Sequence, residues 1–214
     1  MKHILFVTII AALAACAPEP QETTPTGEAP AAPTATRAVI ETSLGPVTVA
    51  LHGDAAPVTT ANFLAHARAG HYDGGAFYRA VREDNDREGV APMSLIQGGH
   101  SFDGLDGAQG ITHESTADTG LSHTRGAVSM GRNAPGTATT EFFIMVADYP
   151  GLDAGPDTRN PDEAGYAVFG EVVEGMDVVE AIWGRETSID RAPEDFQYPQ
   201  FLLEPVQIET VRVE

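Results

Sequence analysis

Positive charge is scarce in this chain. Lys and Arg total 12 against 31 Asp and Glu, a formal net charge of −19 over 214 residues. A phosphate-binding face needs clustered cations, so the balance argues against a nucleic-acid partner and against attraction to anionic lipid through charge. The excess acid reads as solubility instead. Cysteine is scarcer still: Cys16 stands alone, so no disulfide can form within the chain. The apolar run 4–12 is too short to cross a hydrocarbon layer of about 30 Å as a helix. No internal repeat is visible. Hydrolase signatures are missing too. His100, His113, Glu114 and His123 lie within 24 residues, but their spacing fits neither H-E-x-x-H nor a compact ligand motif. They read as surface or hydrogen-bonded residues, and no metal or other cofactor is expected. Ser129 sits in Gly-Ala-Val-Ser-Met-Gly, without the G-x-S-x-G frame of a serine hydrolase.

The N-terminus is informative. Met1-Lys2-His3 forms a short basic region, followed by the apolar run 4–12. Leu13-Ala14-Ala15-Cys16 resembles the lipobox of bacterial lipoproteins. The resemblance implies a signal peptide at 1–15 and a Cys16 that receives a diacylglycerol, is exposed by cleavage and is then acylated on its new amine. Several acyl chains anchor firmly, at about 0.8 kcal/mol per buried methylene. Ala17 follows the cysteine where an Asp would suggest inner-membrane retention, so the expected location is the periplasm, lipid-anchored to the outer membrane. Residues 16–36 read as the lipidated cysteine and a disordered tether. Rich in Pro, Thr and Ala, with no large apolar residue, the tether cannot offset the entropy of ordering itself. Fully extended, it reaches on the order of 60 Å.

Residues 37–214 are long enough to bury a sizeable core. Alternation at 38–42 and 47–51 around Leu44-Gly45-Pro46 predicts a β-hairpin. A helix is expected over 58–69, ended by Gly70, burying Val58, Ala61, Phe63, Leu64 and Ala67. Strands are expected near 76–82, 93–97, 126–131, 142–147, 166–173 and 206–213. A second helix over 176–183 turns Met176, Val179, Ile182 and Trp183 inward. The count is eight strands and two helices, a mostly antiparallel β domain whose sheet edges a closed barrel would remove.

The stretch 121–147 organises the rest. Two apolar runs, 126–131 and 142–147, flank a polar link whose Pro135 and Gly136 favour a turn. They read as two strands joined by a loop that passes a binding groove. Phe77-Tyr78-Arg79 and Leu95-Ile96-Gln97-Gly98-Gly99 are expected to pack beside them.

These residues carry a family resemblance. Phe77-Tyr78-Arg79 followed by Gln97-Gly98-Gly99, the segment His123 to Met130, Phe142-Phe143-Ile144, Leu152-Asp153, Val168 to Val172 and Gly175-Met176-Asp177 match, in order, the motifs of cyclophilin-type peptidyl-prolyl isomerases of the bacterial periplasmic kind. The resemblance implies a closed eight-stranded antiparallel β-barrel with a helix over each open end, a packed interior and an active groove on the outer face. It implies isomerisation of X–Pro bonds in unfolded or partly folded polypeptides, by a monomer and without a cofactor. The clients expected are periplasmic, outer-membrane or secreted proteins.

Carried over residue by residue, the resemblance makes Arg79 the catalytic cation, Phe143 the proline-ring pocket and Gln97 the polar residue that orients the arginine. Leu95, Met93 and Leu152 line the pocket, and Gly131 and Arg132 stand where the groove wall meets substrate main chain. Glu141 and Tyr166 complete the expected substrate-binding set. Phe142, one residue from Phe143, points to the opposite strand face and is expected in the core. Several positions depart from the better-known eukaryotic pattern: Ser94-Leu95 replaces Phe-Met, Glu141 replaces Gln, and Pro150-Gly151 precedes Leu152-Asp153 where a Trp is usual. Tyr166 and Arg132 stand for His and Asn, as in bacterial relatives. A carboxylate at 141 is placed to clamp Arg79 or Arg132, or is an edge charge. The alternative reading is a cyclophilin-like module or chaperone that binds Pro-containing segments with little isomerase activity. The link from Arg79 to Gln97 is longer than usual and holds the charge run 82–88, read as a solvated loop or, because it leaves a strand beside the groove, as a segment that biases substrate choice. Residues 153–165 form a second acidic insertion near Tyr166.

Overall fold

The first hairpin starts the barrel. β1 (Arg37–Thr42) pairs antiparallel with β2 (Gly45–Leu51), Ile40 facing Val47. The turn falls at residues 43–44, because Thr42 Oγ1 accepts from the Leu44 amide at 3.1 Å and donates to the Gly45 carbonyl at 2.7 Å. Gly45, at φ 127°, takes a backbone conformation closed to other residues, and Gly45-Pro46, expected as the turn, already belongs to β2. The structure is a computed structural model that describes residues 36–101, 104–194 and 196–214. The expected signal peptide, Cys16 and the expected tether as far as residue 35 lie outside the described residues.

Seven further strands follow: β3 (Ala76–Val81), β4 (Leu95–Gly99), β5 (Ala127–Met130), β6 (Phe142–Met145), β7 (Val168–Glu174), β8 (Thr187–Ser188) and β9 (Phe201–Val213). The sheet order β1-β2-β7-β5-β6-β4-β3-β9 returns to β1, so eight antiparallel strands close into a barrel. The two-residue β8 hangs on β9 outside that ring. Closure leaves no long edge to template aggregation. Strand ends shift from expectation by one or two residues at several places, and two shifts matter to the site. β4 runs through the Gln97-Gly98-Gly99 motif, and β9 begins at Phe201 because its first residues pair with Arg79 and with β8.

α1 (Pro57–Arg68) and α3 (Met176–Trp183) are the two expected helices, and a one-turn α2 (Thr116–Thr119) is added. α2 is capped by Ser115, whose Oγ accepts from Asp118 N, and stopped by Gly120 at φ 72°. α1 buries Thr59, Thr60, Phe63 and Ala67, while Val58 is 41% exposed. Its face is rotated from the expected one because Glu114 holds its first turn. That carboxylate accepts from the amides of Val58 and Thr59 and from the Thr59 hydroxyl, supplying the cap that Ala56 cannot. α3 buries Val179 and Ile182; Met176 and Trp183 pack half-buried against the core, with the indole N–H donating to the Val81 carbonyl.

Two apolar clusters result. The barrel interior centres on Phe142, whose ring meets Phe63, Tyr72 and Phe77 edge-on, each at 5.7 Å between centroids. The second lies on the outer face and holds Val81, Met93, Leu95, Phe143, Met145, Leu152 and Val168. Side chains alternate along β6, so Phe142 enters the first cluster and Phe143 the second.

Candidate active site

The site begins with an irregularity in β3. Phe77 and Ala80 both belong to the interior cluster although they are three residues apart. An even alternation cannot do this. The register of β3 shifts between Phe77 and Arg79 against both β4 and β9, which is a bulge, and it sends Tyr78 and Arg79 together to the outer side. Arg79 thus meets Gln97, its pairing partner on β4.

Three bonds hold the Arg79 guanidinium. Nη1 donates to Gln97 Oε1 at 2.7 Å, while Nε and Nη2 donate to Gln200 Oε1 at 2.9 and 2.5 Å. Gln200 is itself fixed, for its Nε2 donates to the Asn85 carbonyl at 2.9 Å. Phe196 lies 5.1 Å from the guanidinium carbon, a cation–π contact. Burial pushes Arg79 down to about 10, so it stays charged at neutral pH. A guanidinium carries five donors, and those not used by the glutamines remain for a ligand.

Arg79 borders a cavity of about 400 Å³ also lined by Met93, Leu95, Gln97, Gly131, Arg132, Phe143, Leu152 and Tyr166. Nine of the ten groove residues expected from the sequence therefore meet at one place. The Phe143 ring is fixed on two sides: His123 stacks parallel to it at 5.7 Å and Tyr166 stands perpendicular at 5.3 Å. His123 is fully buried between Asp153 Oδ1, 2.6 Å from Nδ1, and Ser129 Oγ, 3.1 Å from Nε2. The Ser-His-Asp order resembles a hydrolytic triad, but Ser129 has no exposed surface, so the arrangement braces the cavity from behind. Burial alone would raise the Asp153 carboxyl; hydrogen bonds from His123 and Ser122 outweigh it and hold the group below its ordinary value.

Glu141 is a correction. Its side chain is buried and does not line the cavity. It reaches neither Arg79 nor Arg132. Its Oε2 accepts from the Tyr78 hydroxyl at 2.6 Å, and its Oε1 accepts from Ser101 N and Thr140 Oγ1, each at 3.2 Å. Gly99 makes this possible: a Cβ there would lie 2.5 Å from Oε1. Burial pushes the Glu141 carboxyl up to about 7, against the hydrogen bonds it accepts. Arg132 lines the cavity, but its side chain is committed to the wall. It pairs with both oxygens of Asp162 and donates to the Gly165 carbonyl, with its guanidinium over the Tyr166 ring.

The four residues of the apparent histidine cluster separate. Glu114 caps α1, His113 Nε2 lies 3.0 Å from the Ala164 carbonyl, His100 Nδ1 lies 2.9 Å from the His71 carbonyl, and His123 braces Phe143.

The sequence reading missed four groups at the site: Gln200, Phe196, and the pair Asp86–Arg159. Asp86 and Arg159 form a close ion pair with side chains only 2% and 5% exposed, joining the charge run after β3 to the insertion at 153–165. Asp86 Oδ2 also accepts from the Met93 amide at 3.3 Å. The two insertions thus build one wall of the cavity. Nothing local marked these residues. Gln200 meets Arg79 across 121 positions, and Asp86 looked like any other member of a charged loop.

A model of the cyclophilin type peptidyl-prolyl cis-trans isomerase/CLD family matches residues 37–213. The chain is 36% identical over 176 residues to a peptidyl-prolyl cis-trans isomerase, cyp18, of Streptomyces antibioticus, spanning 81% of this chain and 96% of that protein. It is 34% identical over 171 residues to peptidyl-prolyl cis-trans isomerase B of Escherichia coli, spanning 78% and 96%. Its fold is similar to the crystal structure of a cyclophilin type isomerase from Cryptosporidium parvum, with a TM-score of 0.64 and 18% identity over 84% of this chain and 98% of that one.

Proposed function

The chain belongs to the cyclophilin-type peptidyl-prolyl cis-trans isomerase family, and we propose that it isomerises X–Pro bonds in unfolded or partly folded polypeptides. The lipobox-like residues 13–16 support the further reading that these are periplasmic, outer-membrane or secreted proteins and that lipid on Cys16 anchors the chain. The observation that carries the catalytic part is the Arg79 guanidinium, held by Gln97 and Gln200 at the rim of a cavity floored by Phe143.

Rotation about an X–Pro amide meets a barrier of about 18–20 kcal/mol, set by the partial double-bond character of the C–N bond. No bond is made or broken, so the reaction needs no nucleophile. It needs a site that binds the twisted amide better than either planar form. Twisting returns the lone pair to the proline nitrogen. Arg79 supplies N–H donors there in a fixed planar fork, and its two glutamine partners spare it reorganisation during the turn. Phe143, Met93, Leu95 and Leu152 surround the proline ring, so the preceding carbonyl does the moving. Gly131 and Gln97 border the substrate main chain and fix its pose.

The anchor rests on the lipobox-like sequence alone. Radiolabelled palmitate enters the wild-type protein but not Cys16→Ser, and the variant remains uncleaved before residue 16. A wild-type protein that takes up no label overturns the anchor and leaves the isomerase reading standing.

A further inference from the structure

Arg79 is the first member of a chain of hydrogen bonds that ends on a buried carboxylate. We propose that Glu141, acting through Tyr78 and Gln97, is a positioning residue that holds the Arg79 guanidinium in its working orientation, an inference that rests on the isomerase reading above. A guanidinium only donates, so the oxygen of Gln97 must face Nη1, at 2.7 Å, and its amide nitrogen must face Tyr78. That nitrogen donates to the Tyr78 hydroxyl at 3.0 Å. The hydroxyl therefore sends its own proton onward, to Glu141 Oε2 at 2.6 Å. Every bond runs in one direction, from cation to carboxylate. Bonds in such a series polarise and strengthen one another.

The terminus is a built site. Tyr78 and Glu141 are both buried, and Gly99 leaves room for the carboxylate where any Cβ would collide. Burial of a carboxyl costs free energy that a neutral residue would avoid. Ionised, Glu141 accepts on both oxygens; protonated, it is a weaker acceptor and no longer places a charge at the end of the series. A neutral carboxyl therefore holds the Tyr78 hydroxyl, and through it the Gln97 amide, less firmly. Ionised Glu141 is thus the ordered form of the site. Its carboxyl is raised to about 7 by burial, so turnover climbs as the pH rises through neutrality. The titratable groups around it are Tyr78, Tyr72 and His100, and His100 lies beside His71 and His66. His100 adjoins Ser101, whose amide bonds Glu141 Oε1, so a His100 variant serves as the control for the carboxyl.

The test uses the full-length protein in detergent and a Pro-containing peptide, with kcat and KM followed from pH 5.5 to 8.5. The wild type loses roughly fivefold in kcat between pH 8 and pH 6, with KM little changed. Glu141→Gln carries no titrating proton and shows a flat profile that lies below the wild-type value at pH 8, because its amide must turn an N–H on either Tyr78 or the Ser101 amide; its melting temperature falls by a few degrees. Tyr78→Phe is flat and several-fold slower. His100→Gln keeps the slope. A flat wild-type profile, or a slope that disappears in His100→Gln and survives in Glu141→Gln, overturns the proposal. An NMR readout does not depend on turnover: the Gln97 side-chain amide signals move with the same midpoint as the Glu141 carboxyl carbon, and Tyr78→Phe uncouples them. A protein with no turnover at any pH contradicts the isomerase reading, and in that case Gln97 signals that ignore the Glu141 titration overturn the relay itself.

Discussion

Arg79→Ala lowers kcat/KM for a Pro-containing peptide by on the order of 100-fold or more, about 2.7 kcal/mol at about 1.36 kcal/mol per decade. The side chain is the charged donor at the cavity rim that its partners hold still, and its interaction with the proline nitrogen exists only while the amide is twisted. Binding of the same peptide weakens far less, because Phe143, Leu95 and Leu152 still enclose the ring. Arg79→Lys recovers little. One ammonium cannot donate to Gln97 and Gln200 as the guanidinium does and also face the substrate. The domain stays folded but melts several degrees lower: Arg79 is half-buried, and the glutamine oxygens left behind face a cavity that water can enter, so its three bonds are lost at about 1 kcal/mol each. A domain that unfolds on this substitution would make Arg79 a structural residue.

Phe142→Ala and Phe143→Ala have opposite effects, although the two residues are neighbours. Phe142 has no exposed surface, and its ring is met edge-on by three others. Its removal leaves a cavity inside the barrel and costs about 3–5 kcal/mol of stability. The molecules that stay folded turn over nearly as before. Phe143→Ala opens the floor of an existing cavity, where Tyr166 and His123 lose only one partner each, so it costs less stability. It removes the surface against which the proline ring packs, and kcat/KM falls at least about tenfold. Urea unfolding and kcat/KM on the same two variants check both halves. If Phe142→Ala damages turnover more than Phe143→Ala at a temperature where both are folded, the assignment of the two faces is wrong.

The strands were legible because many of them alternate and their turns carry Gly and Pro, and the family resemblance closed them into an eight-stranded barrel. Neither signal chose between Phe142 and Phe143; period two says only that they face opposite ways, and the family motif supplied which way. The face of α1 was misread because Glu114, 55 residues from Thr59 in sequence, fixes its first turn. Alternation also has no means of showing the bulge at Tyr78, which depends on β3 pairing with two strands at once. Glu141 was expected in the groove as a clamp on Arg79 or Arg132, but it lies buried behind it and is linked to Arg79 only through Tyr78 and Gln97, a geometry that only the folded barrel creates. Gln200, Asp86 and Arg159 come from segments whose approach to the groove no local pattern records.

Catalysis by this groove is tested most directly by two-dimensional exchange NMR on an Ala-Pro peptide with a catalytic amount of the protein. Uncatalysed interconversion takes tens to hundreds of seconds, so cross-peaks between the cis and trans signals are absent without enzyme at mixing times of about a second. The wild-type protein brings those cross-peaks up, and Arg79→Ala at the same concentration does not. Peptide signals that shift on addition of the wild type, with no exchange between isomers, would show a groove that binds Pro-containing chains without turning them and would contradict the account.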